Sequence, residues 1–358
     1  MWGILVITLL SIILVIALNT PAFTNVWANT VVDSTFYIPK RNNIHFDGNT
    51  ILREACFGAT YYDTQEKALI LHRDLTTPLN DNSSYKNPPE NSIEPIIEAK
   101  PDGMFPIIEC DLSTDNILQL NNTTALSVNT QYLLGAEYDF ELSSNSKEPL
   151  VLILHTHATE CYSREGSTYY DPLGNTRSTD DDVNMVAVGK TIAEKLNEYG
   201  ITTLHCTLQH DADSYRDAYS KSADTIKKYL TAYPSIKYVF DIHRDAVMYD
   251  DSSKAKAVCK IGDNNAAQIM ILAGTDAGGA DFPHWKKNLS LALKITDKIE
   301  KNHPGIMRSV SLRGASYNQQ YTDGSLLIEI GTDGNTLSEA KRSGEIFAES
   351  FAKLIKEE

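Results

Sequence analysis

Apolar positions fall into three regimes along this chain. Residues 2–18, WGILVITLLSIILVIAL, carry no charge, and Thr8 and Ser11 are their only polar side chains. At 1.5 Å per residue such a run spans about 25 Å, the short end of a membrane-crossing helix. A cleaved leader has a basic head, a shorter apolar core and a small-residue cleavage site. No Lys or Arg precedes this run and no convincing site follows it, so the pattern predicts a retained signal-anchor over 1–20. One span with a tiny head and a large folded tail places the tail on the extracytoplasmic side. The second regime is sparse. Residues 21–75 hold only short apolar runs and read as a membrane-proximal segment. Residues 76–106 carry six of the thirteen prolines (Pro78, Pro88, Pro89, Pro95, Pro101 and Pro106) among Asn, Ser and Asp, which predicts an extended linker. Residues 107–148 read as a small strand-like or irregular module with a turn at 121–124.

The third regime, 149–358, alternates short apolar runs with amphipathic stretches. PLVLILH (149–155) is a continuous apolar run, as expected of a strand buried on both faces. Residues 183–199 predict a helix capped by Asp182 and ended by Gly200. Further strands are expected at 201–205, 236–242, 255–261, 268–274, 307–312 and 325–331. Helices are expected at 215–232, 284–302 and 336–356. This alternation predicts an α/β domain with a mostly parallel sheet and helices on both faces.

Composition narrows the function. Lys+Arg is 32 against 47 Asp+Glu, a net charge of -15. Such a chain lacks the basic footprint of a nucleic-acid binder and cannot be held to anionic lipid by charge. Hydrophobic content of 42% excludes wholesale disorder. Cys56, Cys110, Cys161, Cys206 and Cys259 form no CxxC pair, so neither a zinc knuckle nor a disulfide framework is expected.

In open parallel sheets, sites form at the carboxyl ends of strands. One strand here ends in His155-Thr156-His157-Ala158-Thr159-Glu160, another in Asp241-Ile242-His243-Arg244-Asp245, and a third carries Glu329. His157 lies further past the apolar run and is the better ligand candidate, with His155 structural. His243 follows its strand in the same way. Two imidazoles and a carboxylate with an open position make a common catalytic zinc set. Glu160 is the candidate third ligand, with Asp180, Asp181 and Asp182 as alternatives that could equally serve to start the next helix. Glu329, in mid-strand among apolar residues, is the candidate proton acceptor and donor. Arg244 could bind a substrate carboxylate or pair with a neighbouring Asp. The remaining histidines need no special role.

VLILHTHATECY, RSTDDDVNMVAVGKTIAEKL, YVFDIHRDAV and YNQQYTDGSLLIEIGTDGNTLSEA, in this order, resemble the stage II sporulation protein P family. The resemblance covers roughly 150–355 well, 107–148 weakly, and includes the N-terminal anchor. That family is related to zinc N-acetylmuramoyl-L-alanine amidases, whose fold is similar to the α/β layers expected above. The resemblance implies His157, His243 and an acidic residue as Zn2+ ligands and Glu329 as the catalytic carboxylate, although the amidase Glu before the helix is here an Asp run. It implies cleavage of the amide between N-acetylmuramic acid and L-alanine in peptidoglycan, at the sporulation septum during engulfment, with stage II sporulation proteins D and M as partners. Other readings are a zinc endopeptidase of stem peptides and a non-catalytic wall-binding scaffold.

Overall fold

The computed structural model describes residues 101–137 and 147–357. The expected anchor (1–20), the membrane-proximal segment (21–75) and nearly all of the linker (76–106) lie outside the described residues. No helix among the described residues is long and apolar enough to cross a membrane.

In chain order the elements are β1 (Phe105–Cys110), β2 (Asn121–Asn122), α1 (Thr130–Gly135), β3 (Val151–Leu154), β4 (Tyr169–Tyr170), α2 (Met185–Glu198), β5 (Thr203–His205) and α3 (Ala218–Ala232). They continue with β6 (Tyr238–Asp245), β7 (Lys254–Ile261), β8 (Asn264–Ala267), β9 (Ile269–Ala273), α4 (Trp285–Asn302), β10 (Ser311–Leu312), a 3-10 turn (Gln319–Tyr321), β11 (Gly324–Thr332) and α5 (Leu337–Glu357). The fold is mixed α/β. Its main sheet has the order β2-β10-β9-β11-β6-β3-β5. Within it β9 runs antiparallel to β11, while the other described pairings are parallel.

Alternation along β3 shows how the two faces are covered. Val151 and Ile153 join the larger apolar cluster, with Met185, Val188 and Ile192 of α2, Leu289 and Ile295 of α4, and Phe347 and Phe351 of α5. Leu152 and Leu154 join a smaller cluster with Ile226 of α3, Cys206, Ile236 and Val239. Successive residues of a strand face opposite sides, so α2, α4 and α5 cover one face and α3 the other.

Three expectations need correcting. Strand 255–261 was expected to join the α/β alternation, but β7 belongs to a second sheet, ordered β4-β1-β7-β8. There it pairs with β8 as a hairpin and with β1 in parallel. Residues 107–148 were expected as a module of their own. Instead β1 enters the second sheet, β2 pairs with β10 in the main sheet, and α1 meets α4 through Ser290 Oγ, which donates to Leu133 O at 2.7 Å. Short strands with little apolar content are stabilised by such partners rather than by their own pattern. The cap of α2 also moves: Asn184 accepts from the Val186 N–H, while Asp182 stands outside the helix. Gly200, at φ +73°, follows its end. The four described cysteines are free.

Helix α2 approaches β3 closely because position 189 is glycine. A Cβ there would stand 2.4 Å from His155 Nε2 and 2.7 Å from His205 Nε2. His155 is fully buried and cannot swing away. An alanine gains about 1 kcal/mol in helix propensity over glycine, against an overpacking cost of about 1–3 kcal/mol. Here the obstacle is a fixed ring, so Gly189→Ala is expected to lower stability by about 1 kcal/mol or more in urea denaturation. An unchanged or raised midpoint would show that α2 is free to retreat.

Candidate functional site

Along β6 the period of two sends Tyr238, Phe240 and Ile242 into the larger cluster. Val239 goes to the α3 side, and Asp241 and His243 follow it there. The parallel register sets Glu329 of β11 beside His243, so both side chains leave the sheet on that face. Asp241 is held from β3: it accepts the Thr156 N–H at 2.8 Å and the Thr156 hydroxyl at 2.5 Å. His243 Nε2 lies 2.9 Å from Asp241 Oδ1, an ion-pair distance without hydrogen-bond alignment.

The chain leaving β3 divides its two histidines between faces. His155 turns toward α2: its Nδ1–H donates to Ile242 O at 3.0 Å, and its Nε2 lies 2.9 Å from His205 Nε2. Burial, then the neighbouring His205, lowers the His155 pKa to about 3. The ring is therefore neutral, and with Nδ1 donating, His205 must donate to Nε2. Both nitrogens of His155 are taken. His157 turns to the α3 side. It is buried, its ring stacks on Tyr215 at 4.1 Å, and it meets His243 edge-on at 5.4 Å. Its Nδ1 lies 3.8 Å from Asp211 Oδ2.

Glu160 ends the same turn. Its Oε1 accepts from Arg177 Nη2 at 3.3 Å, and its Oε2 lies 3.9 Å from His243 Nδ1. Asp211, from the loop after β5, accepts the Thr159 N–H at 3.1 Å, the Thr159 hydroxyl at 2.6 Å and Arg177 Nη1 at 2.6 Å.

His157 Nδ1, Glu160 Oε2, His243 Nε2 and Glu329 Oε2 are buried without a hydrogen-bond partner. A native fold rarely leaves such atoms unsatisfied. Electrostatics separates the groups. Burial, then His243 and Arg177, pushes the His157 pKa well below its usual value. Burial also opposes charge on His243, yet Asp241, Glu329 and Glu160 lift it to about 9. Burial, reinforced by Asp245, raises Glu329 to about 8.

These residues have the donor chemistry of a zinc site: the orphaned Glu160 Oε2 lies 3.9 Å from His243 Nδ1, where a bound cation would satisfy it, while His243 Nε2 faces Asp241. Bonds of about 2.1 Å put tetrahedral ligand atoms about 3.4 Å apart. The 3.9 Å between His243 Nδ1 and Glu160 Oε2 is wider by a fraction of an ångström. Among the described residues no three His, Cys, Asp or Glu side chains stand close enough to hold an ion as they are. The set fits zinc in the chemistry of its donors.

His157, His243, Glu160 and Glu329 are thus brought together. Asp180, Asp181 and Asp182 are not: all three are exposed, and Asp181 accepts from Gln209. Of the two roles open to Arg244, substrate binding is the one its direction disfavours. Arg244 is buried, and its guanidinium donates to the carbonyls of Cys161 at 2.7 Å and Thr176 at 3.2 Å. It clamps the loop between β3 and α2 rather than reaching for a substrate. Sequence reasoning missed Asp211, Arg177 and Tyr215, which reach the site from loops with no periodicity. Asp241 carried a signal, since it shares the strand period with His243.

The family model for stage II sporulation protein P matches residues 72–352, and the chain belongs to that family. It is 25% identical over 233 residues to stage II sporulation protein P of Bacillus subtilis (strain 168), covering 62% of this chain and 54% of that one. The chain thus spans about half the length of the curated relative it matches. Among solved structures, it is similar to an N-acetylmuramoyl-L-alanine amidase of Clostridium difficile 630, with 15% identity, a TM-score of 0.34, and coverage of 59% of this chain and 97% of that one. The CwlD amidase of Clostridioides difficile, solved with the GerS lipoprotein, gives 14% identity, a TM-score of 0.35, and coverage of 58% and 97%. Ami1 of Mycobacterium abscessus gives 12%, 0.32, and coverage of 59% and 98%.

The pair behind the site is acid-sensitive. Burial lowers His205 from 6.5 to about 4. The unfolded chain therefore takes up a proton that the fold refuses, and this group's share of stability is complete above pH 6.5 and lost as pH falls through about 4. His205→Gln keeps a donor for His155 without titrating. Urea midpoints at pH 7 and pH 5 should differ less for this variant than for the wild type; equal differences would remove His205 as the titrating group.

Proposed function

We propose that the protein is a membrane-anchored peptidoglycan hydrolase. It cleaves the amide between N-acetylmuramic acid and L-alanine with Zn2+ as cofactor, in septal wall remodelling during sporulation. The observation that carries this reading is the meeting of His157, Glu160, His243 and Glu329 at the carboxyl ends of β3, β6 and β11, with Glu160 Oε2 buried, unpartnered and 3.9 Å from His243 Nδ1. Family membership supplies the sporulation context.

His157, His243 and Glu160 would hold the metal. When bound, zinc supplies Lewis acidity toward an amide carbonyl and toward water. Asp241, pinned by Thr156, orients His243 from behind, as carboxylates do for ligating imidazoles. Glu329, alongside His243, is the carboxyl placed to take a proton from water and return it to the leaving nitrogen. Tyr215 packs on His157 and excludes water from one face of the ring. A stem-peptide endopeptidase would need the same groups, so the scissile bond separates the two readings. Attachment through the apolar N-terminal run, and association with stage II sporulation proteins D and M, belong to the same proposal.

Full-length protein in detergent, incubated with sacculi and zinc, should release free stem peptides that begin at L-alanine, read by mass spectrometry. His157→Ala, His243→Ala and Glu329→Gln should each lower that release by at least about 10²-fold, and a chelator should abolish it reversibly. Products cut only at cross-links would replace the amidase reading with the peptidase one. Intact muropeptides would leave the scaffold.

A further inference from the structure

Arg177 has no role in the chemistry above, yet it touches Glu160, Asp211, Thr159 and Tyr215 around the site. Its side chain is 34% exposed, while its carboxylate partners are buried. Nη1 donates to Asp211 Oδ2 at 2.6 Å and to Thr159 Oγ1 at 3.1 Å, and Nη2 donates to Glu160 Oε1 at 3.3 Å. The guanidinium also lies 4.7 Å from the centroid of Tyr215, the ring that stacks on His157 at 4.1 Å and 6°. An antiparallel backbone bridge between Glu160 and Arg177 fixes where the side chain starts.

The planar fork matters. A guanidinium can grip two carboxylates in fixed directions while its face lies on an aromatic ring; an ammonium cannot do all three. Arg177 occupies Oε1 of Glu160 and leaves Oε2 buried, unpartnered and 3.9 Å from His243 Nδ1. It also secures Asp211, whose Oδ2 stands 3.8 Å from the edge of His157 at Nδ1. Asp333 is also gripped by one oxygen, from Lys254 at 2.7 Å, with its other oxygen buried and unpartnered, so what marks Glu160 is the group its free oxygen faces. That oxygen is dry and turned toward another candidate ligand.

We propose that Arg177 is the positioning residue of the metal-ligand set: it fixes Glu160 by one oxygen so that the other is available to the cation, and braces His157 at its edge through Asp211 and at its face through Tyr215. This rests on the zinc reading of the site. Arg177 touches no substrate and is not a catalytic residue.

The test is zinc affinity, measured by chelator competition on the full-length chain in detergent, with thermal melts of the zinc-free forms to establish folding. Removing Arg177 alone strands buried Asp211, so the principal variant is R177M/D211N, which removes both charges together. A folded R177M/D211N should bind zinc 10- to 100-fold more weakly, as loss of an outer partner typically does. Arg177→Lys, able to reach one carboxylate but not both, should fall between this variant and wild type. Affinity of the folded double variant within about two-fold of wild type would overturn the role of Arg177 and leave the zinc site standing. A wild type that takes up no zinc would overturn the zinc reading and this inference together.

Discussion

Ionisable side chains buried between the main sheet and α3 are the constraint from which the rest of the site follows. Val239, Asp241 and His243 share one side of β6, so an apolar side chain that packs under α3 is followed by two polar ones. Left alone, each would cost several kcal/mol in a dry setting. The surrounding structure is arranged to meet that cost. Thr156 supplies two donors to Asp241, Asp241 stands against His243, and Arg177 and Thr159 hold Asp211. Within the site these partners still leave one atom each of His157, Glu160, His243 and Glu329 without a hydrogen-bond partner. This side of the sheet is thus polar by construction.

Loops complete that side because the strands hold them rigidly. The turn after β3 is anchored at Thr156 by β6 and at Thr159 by Asp211, so His157 and Glu160 have little freedom between the two anchors. Further on, Arg244 reaches out of β6 to the carbonyls of Cys161 and Thr176. Tyr162 donates its hydroxyl to Ile330 O at 2.8 Å, tying the same loop to β11. A loop with this many bonds to the sheet behaves as part of the scaffold, and sites on such elements keep their geometry.

The sequence read most clearly where burial imposes a period. Strands β3, β6, β9 and β11 and helices α2 to α5 were legible because their apolar spacing has no other use. Elements whose stability comes from partners far along the chain were not. Examples are β1 and β8, whose pairing with β7 builds a second sheet, and β2, too short to show a period. The site divided along the same line. His157, His243 and Glu329 lie in or just after strands and could be picked out. Asp211, Arg177 and Tyr215 arrive by folding distance, with no spacing to announce them. Arg244 misled because its strand placement was right and its direction unknown: a strand residue next to His243 points to the opposite face.

That last point generalises to the whole site. A period of two separates Arg244 from His243 and sets Glu329 beside His243 through the β6–β11 register, while His155 and His157 part because the chain has left β3 at Leu154. A slip of one residue in that pairing would turn Glu329 into the apolar face, among Phe240 and Phe347, and bring Ile330 into the site. The apolar cluster under α2 and α5 forbids it, since burying the carboxylate there would leave it without a partner. The packing on one face of the sheet therefore dictates the chemistry on the other. Phe240, Ile242, Ile328 and Ile330, all fully buried, hold His243 and Glu329 in register without touching anything that reacts.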